Sequence, residues 1–205
     1  REFMSANWMN FFYDQDGNLK HQKIYKDMKD DEEGTVTGGL FLIKRKTWLD
    51  VNGMDNRFKK SQDIDLGLSL ARKGIFILRL KDVGANHHTI EYMDKNRMWD
   101  DFKNYHHLYT RSFIYRKHFF NPHMYQRLAR NDYSMLILLA CLLSLIFSWK
   151  IGVAGLAVYF ILIFMRSKFK PERVLYYALR DISVILGFFL FYPKEGPYKV
   201  APITF

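Results

Sequence analysis

The chain has a single cysteine, Cys141, so it can close no intrachain disulfide and offers no cysteine cluster for a metal. Cys141 lies in an apolar stretch, where a buried thiol is expected. Residues 1–10 have no apolar core and do not read as a signal peptide. The opening Arg1-Glu2-Phe3 before Met4 reads as a cloning remnant outside the fold. Internal repeats and low-complexity tracts are lacking. Charge is nearly lacking from Tyr133 to Met165, where Lys150 is the only charged residue.

What is present is unevenly placed. Aromatic residues make up 17% of 205 residues and the net charge is +10, while the sequence is mixed and charged up to Asn131 and apolar beyond it. This distribution predicts a folded domain over 4–125 followed by a hydrophobic helical membrane region over 126–205. Net charge alone would suit a nucleic-acid binder. The basic residues cluster around the apolar tail, however, so the expected partner is a membrane and not nucleic acid.

Asn10-Phe11-Phe12-Tyr13, a turn at Asp14-Gln15-Asp16-Gly17-Asn18, and Leu19 to Tyr25 predict a β-hairpin. Asp14 and Asp16 form an Asp-x-Asp, but the Gly-Asn that follows marks a solvated turn. A polar connection, Lys26 to Glu33, leads to a buried strand over Thr35 to Lys44, interrupted early by Gly38-Gly39. A short helix over Lys46 to Val51, closed by Gly53, comes next. Asp63 to Lys73 predicts a three-turn helix that stops at Gly74. Ile75 to Leu80 and Val83 to Asn86 predict two strands, the second running into His87-His88. Tyr92 to Phe120, rich in aromatic and basic residues, predicts one or two amphipathic helices at a bilayer surface or packed against the tail.

Three apolar segments follow: Tyr133 to Ser148, Ile151 to Met165 and Val174 to Tyr192. A transmembrane helix usually needs about 20 apolar residues and at least about 17, so the first two are short for separate spans and suit a hairpin around Trp149-Lys150. Arg127, Arg130 and the loop Arg166 to Arg173 fall at one end of that hairpin. The positive-inside tendency then places the folded domain on the cytoplasmic side of the cell membrane. In the third segment Arg180-Asp181 is costly in hydrocarbon unless it faces protein or water.

Asp63 and Asp65 stand at the start of the predicted helix, two residues apart, so their side chains diverge. Either one caps the helix, where a nearby acid contributes about 0.3–1 kcal/mol, or one points into a cleft. Gly38-Gly39 marks either a strand bulge or a close approach of backbone to a ligand.

The order Gly38-Gly39, apolar strand, Lys44-Arg45, Gly53-Met54-Asp55, Gln62-Asp63-Ile64-Asp65-Leu66, helix, Gly74, strand, strand, His87 resembles the acceptor-side half of family 2 glycosyltransferases with the GT-A fold. The resemblance covers residues 34–88 and implies an α/β fold: a partial GT-A-like mixed sheet with flanking helices, followed by an α-helical membrane-associated tail. It implies an inverting enzyme that moves a sugar from a nucleotide-sugar donor to a lipid-linked or polysaccharide acceptor. Asp63 takes the place of the family's general base. Gly38, Gly39, Gln62 and Asp65 take substrate-binding places. His87, with His88 as alternate, takes the place of a ligand to a divalent cation, Mg or Mn, or to the diphosphate.

The chain departs from the family pattern at three points. Gln62 stands where the family carries glutamate, and Asn52-Gly53-Met54-Asp55-Asn56 stands for Gly-Gly-Phe-Asp-Glu. Only 37 residues precede Gly38, whereas the family's nucleotide-binding strands and metal-binding Asp-x-Asp need a longer stretch. The processive Gln-x-x-Arg-Trp motif is also unmatched at Gln126-Arg127-Leu128-Ala129-Arg130, which implies one sugar per encounter. The alternative expectation is a non-catalytic membrane protein built on a truncated transferase half, acting in assembly or partner binding. Nothing in the sequence sets an oligomeric state.

Overall fold

A computed structural model describes residues 1–14, 16–35, 40–90 and 94–195. Gly38 and Gly39 lie outside the described residues.

The protein is mixed α/β. Strand β1 (Phe3–Tyr13) is central and pairs in parallel with β5 (Ile77–Ile90). On its other edge β1 meets β2 (Leu19–Ile24) with its last residues and β4 (Phe41–Ile43) with its first, both antiparallel. The short β3 (Glu32–Gly34) closes the far edge, antiparallel to β5. The β1–β2 hairpin is the one expected, and Asp14 builds its turn. The Asp14 carboxylate accepts the backbone N–H groups of Asp16 and Asn18 at 3.0 and 2.8 Å, which gives it a local role.

Phe3 is 2% exposed and packs in the core, so the opening residues are part of the sheet rather than a tail outside it. The two strands expected over 75–86 are one strand, β5, with a bulge. Ser5 pairs with Arg79 and Asn7 with Val83, so β5 carries extra residues at Lys81 and Asp82. Buried Asn7 fills the irregularity: its Nδ2 donates to the Lys81 and Lys26 carbonyls at 3.1 and 2.8 Å. A sequence break in the alternation thus reads as two strands when a side-chain amide bridges it.

Helix α1 (Arg45–Asp50) ends in a turn through Asn52 and Gly53. Helix α2 (Gln62–Ala71) lies between the sheet and a helical layer. Leu66 and Leu70, four residues apart, face the sheet with Phe3 and Ile77, while Leu68 faces the helices with Phe58, Phe113 and Met124. Apolar residues at i, i+2 and i+4 cover two opposite sides of a helix, which is why α2 is buried on both.

The region expected as one or two amphipathic helices is α3 (Lys95–Lys103), α4 (His106–Leu108), a π-helical turn (Tyr109–Phe113) and α5 (Ile114–Lys117). After α6 (Pro122–Asn131) come the apolar helices α7 (Tyr133–Phe147), α8 (Trp149–Arg166) and α9 (Pro171–Leu190). α7 and α8 form the expected antiparallel hairpin, broken at Ser148. α8 takes in Trp149, Lys150 and Arg166, and at 18 residues it is long and apolar enough to cross a membrane; α6 and α7 reach that mark only as a pair bent by 90°. The core is continuous across residue 126, with Met135 and Val184 packed on Phe58 and Leu68.

Arg180 and Asp181 face protein, 2% and 1% exposed. Arg180 Nη2 lies 2.6 Å from Asp181 and 3.6 Å from Asp132, and Asp132 also accepts from Arg111 at 2.8 Å and from Tyr115. Paired charges with their hydrogen bonds filled are the form in which buried ions are tolerated.

Candidate functional site

The N-terminal turn of α2 separates the two aspartates. Ser61, in the left-handed region at φ 69°, begins the helix, and no side chain caps it, so neither Asp63 nor Asp65 is a capping residue. Asp65, 1% exposed, turns inward to α5. Its carboxylate lies 2.8 Å from Lys117 Nζ and 2.8 Å from His118 Nε2. Lys117 also reaches Asp55 at 2.7 Å, and Arg57 grips Asp55 through Nε and Nη2 at 2.9 and 2.6 Å. The row Arg57, Asp55, Lys117, Asp65, His118 ties the turn before α2, α2 itself and α5 into one charged cluster. Burial works against ionisation of Asp55, but the hydrogen bonds from Arg57 and Lys117 outweigh it and hold its carboxyl well below the usual carboxylate range.

Asp63 points elsewhere. It is half-buried and, among the described residues, its carboxylate accepts no hydrogen bond. Arg127 of α6 lies within its electrostatic reach: burial lowers the Arg127 pKa, and the charges of Asp132 and Asp63 oppose that fall. Gln62 turns back, its Nε2 donating to the Phe58 carbonyl at 2.7 Å. Of the expected group, α2 therefore presents one carboxylate with its lone pairs available and holds two side chains in internal bonds.

His87 sits on β5, exposed, with Nδ1 2.9 Å from Asn10 Oδ1. The Asn10 amide is oriented by its own bond from Nδ2 to the Lys23 carbonyl at 3.3 Å, so Oδ1 is the acceptor and His87 Nδ1 carries the proton. That leaves Nε2 as the nitrogen with a free lone pair. His88, on the opposite side of the strand, meets the Tyr13 hydroxyl at 2.8 Å and stacks on Phe11. Neither histidine forms a hydrogen bond or ion pair with Asp63 or Asp65. No group of three or more His, Cys, Asp or Glu converges among the described residues. They offer one oriented nitrogen and no cage for a cation.

Two clefts open near these elements, and neither is lined by Gln62, Asp63 or His87. One of about 580 Å³ is lined by Asn52, Asp55, Arg57, Ser69 and Lys117. Another of about 660 Å³ lies between the end of β5 and α3, lined by Lys60, Thr89, Arg97, Asp101 and His106. Lys117 and His118 went unread in the sequence because a Lys-His pair inside a basic, aromatic run carries no spacing signal. Their partner Asp65 is 52 residues away from Lys117, and only the packing of α5 on α2 reveals the pair.

Comparison with protein-family models, curated proteins and solved structures gave no match to this chain.

Proposed function

We propose that this chain is the acceptor side of a membrane-associated inverting glycosyltransferase, moving a sugar from a nucleotide-sugar donor to a lipid-linked or polysaccharide acceptor. One observation carries the reading. At the start of α2, Asp63 alone keeps a carboxylate with no hydrogen bond from a described residue, beside an Asp65 that is sealed into an ion cluster. A general base needs that availability, since it must come within hydrogen-bond reach of the proton it takes. Asp63 would accept the proton of the acceptor hydroxyl as its oxygen attacks the anomeric carbon and the nucleoside diphosphate leaves from the opposite face. The GT-A-like arrangement of Gln62-Asp63-Ile64-Asp65-Leu66 at a helix start supports the same assignment. The apolar α7–α8 hairpin, with Arg130, Lys168 and Lys170 at its base, supports a cell-membrane location with the folded domain on the cytoplasmic side.

A second reading, a non-catalytic membrane protein that serves assembly or partner binding, is favoured by the internal bonds of Gln62 and Asp65, which occupy two places of the expected substrate set. Detergent-solubilised protein, incubated with a panel of nucleotide sugars and Mg²⁺ or Mn²⁺, separates the two. Release of nucleoside diphosphate that Asp63→Asn abolishes is the expected result. Release unchanged in Asp63→Asn removes the assigned base, and silence with every donor favours the second reading.

A further inference from the structure

Length and composition allow α8 to cross a bilayer, but packing leaves only part of the hairpin free to enter one. Leu138 of α7 and Tyr159 and Ile163 of α8 form one cluster with Met98 and the half-buried Phe102 of α3 and with Tyr176 and Tyr177 of α9. The other side of α3 exposes Lys95, Asn96, Asp100 and Lys103. A helix with that face cannot lie in hydrocarbon, so the level of Leu138 and Tyr159 stands in the headgroup region or above it.

At that level one side of α8 is still exposed, with Phe160 and Ile161 at 52% and 60%, and beyond it the hairpin packs only on itself. Exposure climbs along α7 from 41% at Leu142 to 76% at Ile146 and 87% at Phe147, and across the turn Trp149 and Ile151 are 67% and 64% exposed. The free arm of α8, Trp149 to Gly155, ends where Leu156 packs on that cluster, and it rises about 10 Å at 1.5 Å per residue. The hydrocarbon core is about 30 Å thick. The free length therefore fits within one leaflet and cannot reach across two.

The base of the hairpin is basic. Arg166 closes it by donating to the Asn131 carbonyl at 2.7 Å, and Arg130, Lys168 and Lys170 are exposed around it. Such a collar suits anionic headgroups, each basic side chain adding to the attraction at the surface. α9 adds an unpartnered apolar stripe, with Leu175, Leu179, Ile182, Leu186 and Leu190 at helical spacing and all exposed, while its other side is held by the protein.

We propose that the α7–α8 hairpin is a wedge that enters one leaflet of an anionic bilayer and returns, without reaching the far side. The proposal rests on the membrane association given above and deepens it. Lys150 at the tip sits within the leaflet, and its long stem carries the ammonium back toward the near headgroups.

The test uses the full chain with Lys150→Cys in a Cys141→Ala background, synthesised in the presence of preformed sealed vesicles of phosphatidylethanolamine and phosphatidylglycerol. A membrane-impermeant maleimide is either trapped in the lumen or added outside. The expected result is protein that floats with the vesicles, no labelling of residue 150 from either side, and full labelling once detergent is added. Lys168→Cys, at the basic collar, is labelled from outside, and Ser148→Cys behaves as residue 150 does. Lumenal labelling of residue 150 or 148 means that the hairpin spans the bilayer, and labelling from outside in floated protein means that the tip does not enter; either overturns the wedge while membrane association stands. Protein that fails to float overturns membrane association itself.

Discussion

Asp63 and Asp65 are chemically identical and two residues apart, and the structure gives them opposite consequences on substitution. The Asp65 side chain is 2% exposed and touches Lys117 and His118, which are 26% and 5% exposed. Asp65→Asn keeps the shape but removes the charge and sets an amide against Lys117. Removing one partner of a buried ion pair costs about 3–5 kcal/mol. Lys117 retains Asp55 at 2.7 Å and is itself 26% exposed, so the lower end, about 3 kcal/mol, applies. At about 2–4 °C per kcal/mol for a chain of this size, Tm falls by about 6–12 °C. Asp63→Asn breaks no hydrogen bond among the described residues and removes only the attraction of its charge for Arg127, so its cost stays near about 0.5 kcal/mol, or about 2 °C. Thermal unfolding in mild detergent, followed by tryptophan fluorescence, measures both. A melting point for Asp65→Asn within 2 °C of the parent, on this scale, would show that the cluster does not hold α2 to α5. A loss for Asp63→Asn as large as that for Asp65→Asn would make Asp63 a structural residue and remove the basis for calling it a base.

His107 supplies a pH signature. It is buried, stacks on Phe102 at 4.6 Å and meets the Ser183 hydroxyl through Nε2 at 3.1 Å; burial, aided by Arg111 and Arg180, holds its pKa down to about 4 from 6.5. The folded pKa lies below the unfolded one, so the unfolded chain takes the proton first. Stability is full above pH 6.5, declines as pH falls, and levels off below about 4, a total loss of about 3 kcal/mol. Denaturant unfolding at a series of pH values should show this slope and should lose it in His107→Gln; an equal slope in the variant would rule out His107 as its source. Gly53 tests the turn before the cluster. It has φ 63°, and an added Cβ would lie 2.5 Å from Trp48 Nε1, whereas Gly17 at φ 83° has nothing within 4 Å. Gly17→Ala should cost only the left-handed penalty, about 1–2 kcal/mol, and Gly53→Ala measurably more because the indole must move. Equal melting points for the two variants would refute the contact.

Much of the secondary structure was legible because it depends on neighbours in the chain. The Asp14 to Asn18 turn, the glycine stop at Gly74 and the apolar runs of α7 and α8 are local patterns, and each produced the element expected. The misreadings came where a distant group intervened. β5 looked like two strands because Asn7, from another strand, repairs its bulge. Phe3 looked like part of a remnant because its place in the core depends on Leu66, Leu70 and Ile77, far along the chain. In the candidate site, spacing showed that the two aspartates diverge but not which would be buried.

The sequence by itself determined that the chain is α/β with an apolar helical tail, and that two acids begin the helix now called α2, because periodicity and turn chemistry act over a few residues. Only tertiary structure decided that Asp65 is locked to Lys117 and His118 while Asp63 stays available, and that α3 and α9 cover the base of the hairpin and leave its tip bare. Those outcomes depend on which helix packs on which, and a buried ion pair or a collar around a hairpin forms only when segments far apart in sequence exclude water together.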